Sequence, residues 1–480
     1  MTTSTPVTGV VRQYAAAMAA GLSMFILGNW VSWPSPAVKH ILAGDTKLDI
    51  SPVQVSWAVA LLDLGNIISP IPSSYVTNYL GRKVTLIILS FVFFLTWLLA
   101  IFGTTAYYLY TARFLVGLSK GLTYIVVPIY LGEIASTQVR GGVGTIFGGM
   151  MAYGMLFELL IGSFVDYDTL NIISSPFPVL FFLFFFRFPE TPYFLLMKGR
   201  EDEAKKSLAY FRSSKEDSTI LQQELKQISK NVSEDSKKTG GYMDLVSSPS
   251  ARRATLISVG LATIQRLSGC TSIIAYSTVT LPPTGGYFSP DVYMIIFAVV
   301  MIIGLTICTT LIDMFGRKPL LIISSVGCMI GTGVTAVFYW MSTFTDVSAY
   351  NWVPYFGIIF YSIMLSVGLG NIPPVITVEL FPANLRSHAN ALTAVFYALS
   401  SFITNKMYLQ VKMSIGVHYM YLFFMICSFI GVIFTSFVVF ETKGMTFSEI
   451  QDTLKKKTRC ESENIPVAAN MQTLKTSYGI

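Results

Sequence analysis

Long apolar stretches separated by short polar turns run through most of the 480-residue chain. Each stretch is about 20 residues long, which is the length that an α-helix needs to cross the roughly 30 Å hydrocarbon core of a bilayer. The pattern predicts an all-α membrane protein with twelve spanning helices. The predicted spans are residues 14–33, 54–76, 84–103, 108–131, 142–164, 171–188, 254–278, 289–312, 319–341, 351–378, 388–412 and 417–440.

One long polar segment divides these spans six and six. We therefore predict an N-terminal half (1–188), a cytosolic linker (189–253), a C-terminal half (254–440) and a cytosolic tail (441–480). Over residues 201–230 of the linker, apolar residues recur between charged ones, a spacing that predicts short amphipathic helices beneath the membrane. A plain solvated linker is the alternative.

The composition agrees with a lipid environment. Charged residues make up 12% of the chain, whereas soluble domains carry about 25%, and apolar residues make up 53%. These values exclude a soluble multidomain enzyme, a disordered chain and a nucleic-acid binder. The linker holds 22 of the charged residues and the tail holds 11, so few are left for the spans.

Basic residues follow spans 2, 4, 8 and 10, and an excess of Lys and Arg in short loops marks the cytosolic side of a membrane. These residues are Arg82, Lys83, Arg140, Arg317, Lys318 and Arg386. Together with the charged linker and tail they predict that both termini are cytosolic. The net charge of +7 then needs no anionic partner.

Residues for catalysis or metal binding are scattered. The five cysteines are odd in number and lie apart, and the three histidines lack ligand spacing, so we predict no disulfide framework and no metal site. Since no nucleophile–base pair occurs on any loop, the chain is not expected to be an enzyme or to need a cofactor.

Three short motifs occur twice, in the same order, about half a chain apart. Gly-Arg-Lys occurs at 81–83 and again at 316–318. A glutamate precedes an arginine by seven residues at Glu133 and at Glu379. A further glutamate follows span 6 at Glu190 and span 12 at Glu441. Three ordered pairs indicate two six-helix halves related as a parallel repeat.

The repeated motifs also predict a cytosolic gate. Its residues are Arg82, Lys83, Glu133, Arg140, Glu190, Arg317, Lys318, Glu379, Arg386 and Glu441. Such ion pairs have strength when partly desolvated, whereas in open water each contributes at most about 1 kcal/mol. If the halves rock about a central site, the cluster forms when the cytosolic side closes and favours the outward-facing state. Static anchoring of the topology is the alternative.

Taken together, the motifs resemble those of the sugar porters of the major facilitator superfamily. They include 81–83, 113–117, 133–141, 189–192, 265–269, 316–318, 379–382 and 441–447, and the segment 33–36 is similar to the insect facilitated trehalose-transporter-like branch, a relative of the glucose transporters. The resemblance covers about residues 14–450. It implies the major facilitator fold, a sugar site between the halves at the midplane, and alternating access.

The resemblance also implies which residues bind the substrate. Members supply two glutamines and an asparagine on span 7; here these positions hold Gln265, Arg266 and Thr271. A sugar needs polar donors and acceptors and an aromatic ring to pack on. Helical spacing also predicts a polar stripe along span 7, with Gln265, Ser268, Ser272 and Tyr276 roughly on one face. The candidate substrate-binding residues are Gln265, Arg266, Ser268, Thr271, Tyr276 and Tyr397. Span 10 lacks the family's tryptophan and reads Gly370-Asn-Ile-Pro373-Pro374.

Arg266 departs most from a neutral sugar path. A cation in the middle of a span costs roughly 2.5–3.5 kcal/mol on insertion scales and should face a cavity or a partner. Either it contacts an acidic or polyhydroxy substrate, or it pairs with an intramembrane acid such as Asp63 or Glu158. For Lys120 in span 4 we expect structural pairing.

Proton coupling is not expected. Proton-driven members resembling this chain place an acid on span 1 opposite the arginine of span 4; Arg113 is present, but residues 14–38 contain no Asp or Glu. We therefore predict facilitated diffusion, although Asp63 is a possible proton carrier. The expected hinge lies in span 10, at Gly368, Gly370, Pro373 and Pro374.

The leading hypothesis is a plasma-membrane facilitative transporter for a hexose or trehalose. Its expected partners are a small-molecule sugar and the lipid bilayer, with no nucleic acid, and a monomer is expected to suffice. Transport of another polyol or an anionic solute through a remodelled site is the alternative within transport. A sensor that has the transporter fold but no turnover is the alternative outside it.

Overall fold

The computed structural model describes residues 6–237, 240–283 and 288–463. The N-terminal half contains α1 (Val7–Ser32), α2 (Pro34–Ala43), α3 (Pro52–Ile68), α4 (Pro70–Leu80), α5 (Arg82–Phe102), α6 (Ala106–Ile134), α7 (Arg140–Gly162), α8 (Tyr167–Ser174) and α9 (Phe177–Phe185). The segment between the halves forms α10 (Pro192–Met197), α11 (Glu201–Arg212), α12 (Thr219–Lys237) and α13 (Asp244–Ser247).

The C-terminal half repeats this arrangement. It contains α14 (Pro249–Leu267), α15 (Cys270–Thr280), α16 (Pro290–Phe315), α17 (Arg317–Met341), a 3-10 turn (Ser348–Tyr350), α18 (Val353–Val367), α19 (Ile372–Leu380), α20 (Ala383–Ser414) and α21 (Val417–Phe437). The tail forms α22 (Phe447–Glu463). We call the end of the bundle at α10–α13 the linker side and the opposite end the far side.

The twelve spans differ in how apolar they are. By length and apolarity, nine helices of the described residues can cross a membrane, and the pair α3 and α4, bent by 59°, makes a tenth. The two remaining spans are α14–α15 and α20, which are too polar to be identified by length and apolarity. Helix α14 carries Arg252, Arg253 and Arg266, and α20 carries Asn405 and Lys406. Together these make the twelve-helix major facilitator fold.

Several spans are broken, and the breaks have local causes. Proline has no backbone N–H and clashes with the preceding turn, so α2 and α4 begin as new helices at Pro34 and Pro70. Span 7 breaks between α14 and α15, where Gly269 has φ +101° and the αL conformation. Glycine adopts this conformation at no steric cost.

Close helix packing holds each half together. In the N-terminal half α3 packs against α6, where a Cβ on Gly117 would lie 2.0 Å from the Leu62 carbonyl oxygen. In the C-terminal half α17 packs against both α18 and α21. Small residues let helix backbones approach closely in lipid, where helices lack a hydrophobic drive to associate.

Contacts also join the two halves. Helices α2 and α15 pack together at the far side, α7 packs against α16, and α3 and α4 pack against α20. At the far side the Lys39 ammonium lies 2.6 Å from the Asp291 carboxylate. The Thr278 hydroxyl donates to the Ser35 carbonyl oxygen at 2.5 Å. The halves are therefore in contact at the far side in this state.

Candidate functional site

The predicted substrate residues Gln265 and Arg266 lie in the last turns of α14, next to the break in span 7. Gln265 is 5% exposed, and its Nε2 donates to the Gly370 carbonyl oxygen at 2.9 Å. This bond joins the break of span 7 to the break of span 10. The Gln265 Oε1 is buried without a hydrogen-bond partner. One acceptor atom of this side chain is therefore available to a ligand.

Arg266 is partly exposed and lies against an aromatic ring. Its guanidinium carbon is 5.1 Å from the centre of the Tyr397 ring, close enough for a cation–π interaction. Its Nε and the Tyr397 hydroxyl are both buried without a hydrogen-bond partner. Within the described ranges, no carboxylate lies in salt-bridge distance of Arg266.

The two acids considered as partners of Arg266 bind elsewhere. The Glu158 carboxylate accepts from the Ser174 hydroxyl at 2.7 Å. The Asp63 carboxylate accepts from Asn405 Nδ2 at 2.7 Å and lies 3.9 Å from the Lys120 ammonium. Lys120 thus has the intramembrane partner expected for it, whereas neither acid forms an ion pair with Arg266 in this state.

Asn405 links the halves. Besides donating to Asp63 on α3, it accepts from the Ser272 hydroxyl through Oδ1 at 2.8 Å and from the Tyr276 hydroxyl through its backbone oxygen at 3.0 Å. Sequence reasoning missed Asn405. The signal available was a pair of polar residues, Asn405 and Lys406, inside a predicted span.

Three candidate residues, Tyr276, Ser268 and Thr271, contact other protein groups. Tyr276 is fully buried and stacks on Tyr408, with ring centroids 4.9 Å apart and 6° between the planes. The Ser268 hydroxyl donates to the Gln265 carbonyl oxygen at 2.8 Å within its own helix turn. Thr271 is partly exposed and donates weakly to Ser401 at 3.4 Å. The helical stripe expected along span 7 is interrupted because the helix breaks at Gly269.

Arg113 is buried in the N-terminal half, and its guanidinium donates to backbone carbonyl oxygens. The acceptors are Trp30 at 2.5 Å, Ala58 at 3.2 Å and Val59 at 3.2 Å. The guanidinium also lies over the rings of Trp30 and Trp33. Arg113 thus ties span 1 to span 2.

On the linker side, the N-terminal repeat motifs form one cluster. Arg82 pairs with Glu133 at 2.9 Å, and the other Glu133 oxygen accepts from the Thr191 hydroxyl at 2.5 Å. The Glu190 carboxylate accepts from the Lys83 backbone N–H at 2.9 Å. This cluster joins spans 3, 4 and 6 of one half.

The C-terminal motifs form the same cluster. Arg317 pairs with Glu379 at 2.8 Å, and the other Glu379 oxygen accepts from the Thr442 hydroxyl at 2.6 Å. The Glu441 carboxylate accepts from the Arg317 and Lys318 backbone N–H groups, each at 2.9 Å. These shared ion pairs and hydrogen bonds are the structural counterpart of the sequence repeat.

The ion pairs of the predicted gate each lie within one half. In the prediction these pairs formed one cluster only when the two halves met. In this state both pairs are present, each within its own half. Arg140 is exposed, and Arg386 Nε donates to the Phe381 carbonyl oxygen at 3.0 Å. Neither arginine belongs to an ion pair in the part of the chain that the structure describes.

The two loop glutamates differ in their electrostatics. Burial raises the pKa of Glu190, although the N–H groups of Thr191 and Lys83 oppose this. Burial would also raise the pKa of Glu441, but the backbone N–H groups that it accepts from outweigh burial and leave its pKa below the ordinary value. The Glu441 turn therefore holds its negative charge more firmly.

The predicted hinge coincides with the break in span 10. Helix α18 ends at Val367 and α19 begins at Ile372, so Gly368 and Gly370 lie between them. Pro373 and Pro374 occupy the first turn of α19, where a missing N–H costs nothing. Whether this break flexes stays a prediction.

Comparison with known proteins agrees with this architecture. The sequence model of the family described as "Sugar (and other) transporter" matches residues 10–454. The facilitated trehalose transporter Tret1 of Bombyx mori is 31% identical over 450 residues, covering 93% of this chain and 88% of that protein. Tret1 of Polypedilum vanderplanki is 30% identical over 473 residues, covering 97% and 92%. For Tret1 of Anopheles gambiae the match spans 96% of this chain but 58% of that protein.

Solved structures show the same fold. The partially occluded inward-open form of the xylose transporter XylE from E. coli superimposes with a TM-score of 0.75 at 19% identity, covering 91% of this chain and 100% of that chain. The proton:xylose symporter XylE bound to 6-bromo-6-deoxy-D-glucose gives a TM-score of 0.71 at 20% identity, covering 93% and 100%. With the family match over almost its whole length, this chain belongs to the sugar transporter family.

Proposed function

We propose that this protein is a facilitative transporter of a hexose or trehalose in the plasma membrane. In this proposal the linker side and both termini are cytosolic, because basic residues concentrate in the loops of that side. The substrate passes between the two halves by alternating access. Trehalose enters the proposal through the names of the relatives from Bombyx mori and Polypedilum vanderplanki.

The observation that carries the proposal is a group of three unpartnered polar atoms between spans 7 and 11. They are Gln265 Oε1, Arg266 Nε and the Tyr397 hydroxyl. They offer an acceptor, a donor and a group that can do both, beside a ring on which the CH face of a sugar can pack. An unsatisfied buried polar group costs about 1–3 kcal/mol, so a polyhydroxy ligand that pairs with them gains binding energy.

The contacts between the halves support alternating access. Opening the far side requires the Lys39–Asp291 and Thr278–Ser35 contacts to break. The two linker-side clusters tie the ends of spans within a half, which favours movement of each half as a rigid unit. In this proposal Arg140, which is exposed, contacts the other half only when the linker side closes.

The surroundings of Arg113 support transport without proton coupling. Three carbonyl oxygens take its hydrogen bonds, and span 1 offers no carboxyl group there. Asp63 is the remaining candidate for a proton carrier. It already accepts a hydrogen bond from Asn405 at 2.7 Å and lies 3.9 Å from the Lys120 ammonium. Uptake should therefore be unaffected by an uncoupler, and uncoupler-sensitive accumulation would refute this part.

Uptake by proteoliposomes tests the proposal. Labelled glucose and trehalose should enter saturably, and Gln265→Ala should lower uptake at least about tenfold, since losing a buried hydrogen bond costs about 1.4 kcal/mol or more. Gln222→Ala, at an exposed position of α12, is the matched control. Saturable binding without flux would instead support a sensor, and absence of both would reject a sugar site.

A further inference from the structure

We propose that the central site also takes an acidic sugar, one that carries a carboxylate beside its hydroxyls, and that Arg266 binds this carboxylate. The inference rests on the proposed function, because it names a substrate class for the same site. It comes from the balance of charges around the site, which a neutral sugar does not account for.

Positive charge exceeds negative charge at the centre of the bundle. Electrostatic interactions connect Asp63 with three cations: Lys120, Arg266 and Arg113. Lys120 is the nearest, at 3.9 Å, and Arg113 directs its hydrogen bonds to uncharged carbonyl oxygens. One carboxylate therefore faces three cations. Among the described residues neither Arg113 nor Arg266 has a carboxylate within salt-bridge distance, but carbonyl oxygens surround the Arg113 guanidinium, whereas Arg266 Nε has no hydrogen-bond partner.

The neighbours of Arg266 are uncharged. The Tyr397 ring lies under its guanidinium, and Cys270 and Tyr124 also interact with it electrostatically; the one acid that does so, Asp63, lies beyond salt-bridge distance. Charged side chains inside a membrane protein almost always pair or face a polar pathway. Since Arg266 is partly exposed and the described residues provide it with no ion pair, its charge faces the route of the solute.

The geometry favours a carboxylate over a more highly charged group. A guanidinium binds a carboxylate through two parallel hydrogen bonds. The second nearby cation, Lys120, is already beside Asp63, so a doubly charged phosphate would find only one free cation. Gln265 Oε1 and the Tyr397 hydroxyl remain to bind sugar hydroxyls. A hexuronate has both the carboxylate and the hydroxyls that this arrangement fits.

Glucose and glucuronate form a matched pair of probes, because they differ only in a carboxylate that replaces a hydroxymethyl group. In proteoliposomes containing the full chain, labelled glucuronate should enter saturably and compete with glucose. Arg266→Gln should lower the ratio of glucuronate uptake to glucose uptake at least tenfold. Arg266→Lys should restore part of the glucuronate uptake. Arg187→Gln, at an exposed position, is the control and should change neither.

Membrane potential provides a readout that does not depend on a variant. Glucuronate carries one negative charge, so an inside-negative potential of 100 mV should lower its equilibrium accumulation about 50-fold and leave glucose accumulation unchanged. Glucose transport with no glucuronate entry or competition would overturn the inference and leave the proposed function standing. Glucuronate uptake equal in the wild type and Arg266→Gln would also overturn it. Loss of flux for glucose, trehalose and glucuronate alike would reject the proposed function itself.

Discussion

The hydrogen bond between Asp63 and Asn405 connects the two halves near the centre of the bundle, and breaking it should shift the transporter toward the far-side-open state. Asp63 belongs to α3 and is 3% exposed; Asn405 belongs to α20 and is 4% exposed. Their polar atoms are 2.7 Å apart. Asn405→Leu removes the donor while keeping a side chain of similar size.

The expected magnitude follows from the charge on the acceptor. A hydrogen bond to a charged group contributes about 1.5–3 kcal/mol. If the bond exists only while the far side is closed, losing it raises the ratio of far-side-open to far-side-closed molecules by about 10- to 150-fold. Ser272 also loses its acceptor, but this contact lies within the C-terminal half and is neutral.

Labelling of an introduced cysteine measures this ratio. Ala37 on α2 is fully buried at the far side, and Ala37→Cys in a background without the native cysteines should react with a membrane-impermeant maleimide only when that side opens. Asn405→Leu should raise the labelling rate by the same 10- to 150-fold. Asn231→Leu, at an exposed position of α12, is the control. An unchanged rate in a folded protein would refute the idea that this bond depends on the state.

Three further predictions concern the periphery of the bundle. Glu379→Gln weakens the ion pair with Arg317, so the melting temperature in detergent should fall by a few degrees; no fall would mean that the cluster does not stiffen its half. Lys39→Met breaks an ion pair between a half-exposed lysine and a buried aspartate, and solvent at the lysine limits the pair to about 1 kcal/mol. Labelling at Ala37→Cys should therefore rise about fivefold at low salt and less at high salt, and a rise independent of salt would exclude an ionic cause. The folded pKa of Glu441 is lowered, so its contribution to stability is present above about pH 4.3 and disappears as the pH falls through the folded pKa. Between pH 6 and pH 3 the melting temperature should therefore fall less in Glu441→Gln than in the wild type, and an equal fall in both would contradict this.

The repeated motifs were the part of the site that the sequence described best. Gly-Arg-Lys and the following glutamates predicted contacts at the ends of helices, and the structure shows Arg82 with Glu133 and Arg317 with Glu379. A motif at a helix end has few possible neighbours, because the turn itself determines where the side chains lie. Whether such a pair lies within a half or between halves depends on the state of the transporter, which no motif encodes.

Residues inside the spans were harder to interpret. Helical spacing placed Gln265 and Tyr276 on one face, but the left-handed Gly269 between them breaks the helix, and Tyr276 stacks on Tyr408 instead. Asn405 binds Asp63, which is 342 residues away in the chain. A contact between halves at such a separation leaves no local pattern, so only the presence of a polar residue in an apolar run pointed to it.

The spans that apolarity alone does not identify all take part in contacts between the halves, and this follows from the requirements of a moving interface. Spans 2, 7 and 11 are either bent or too polar to be recognised by apolarity alone, and they contribute Asp63, Gln265 and Asn405. An apolar interface between the halves would offer a passing solute no hydrogen bonds. Polar groups that pair across the interface in one state and face the solute in another avoid being left unsatisfied in either. The polar residues that prevent these spans from being identified by apolarity are therefore the residues that transport requires.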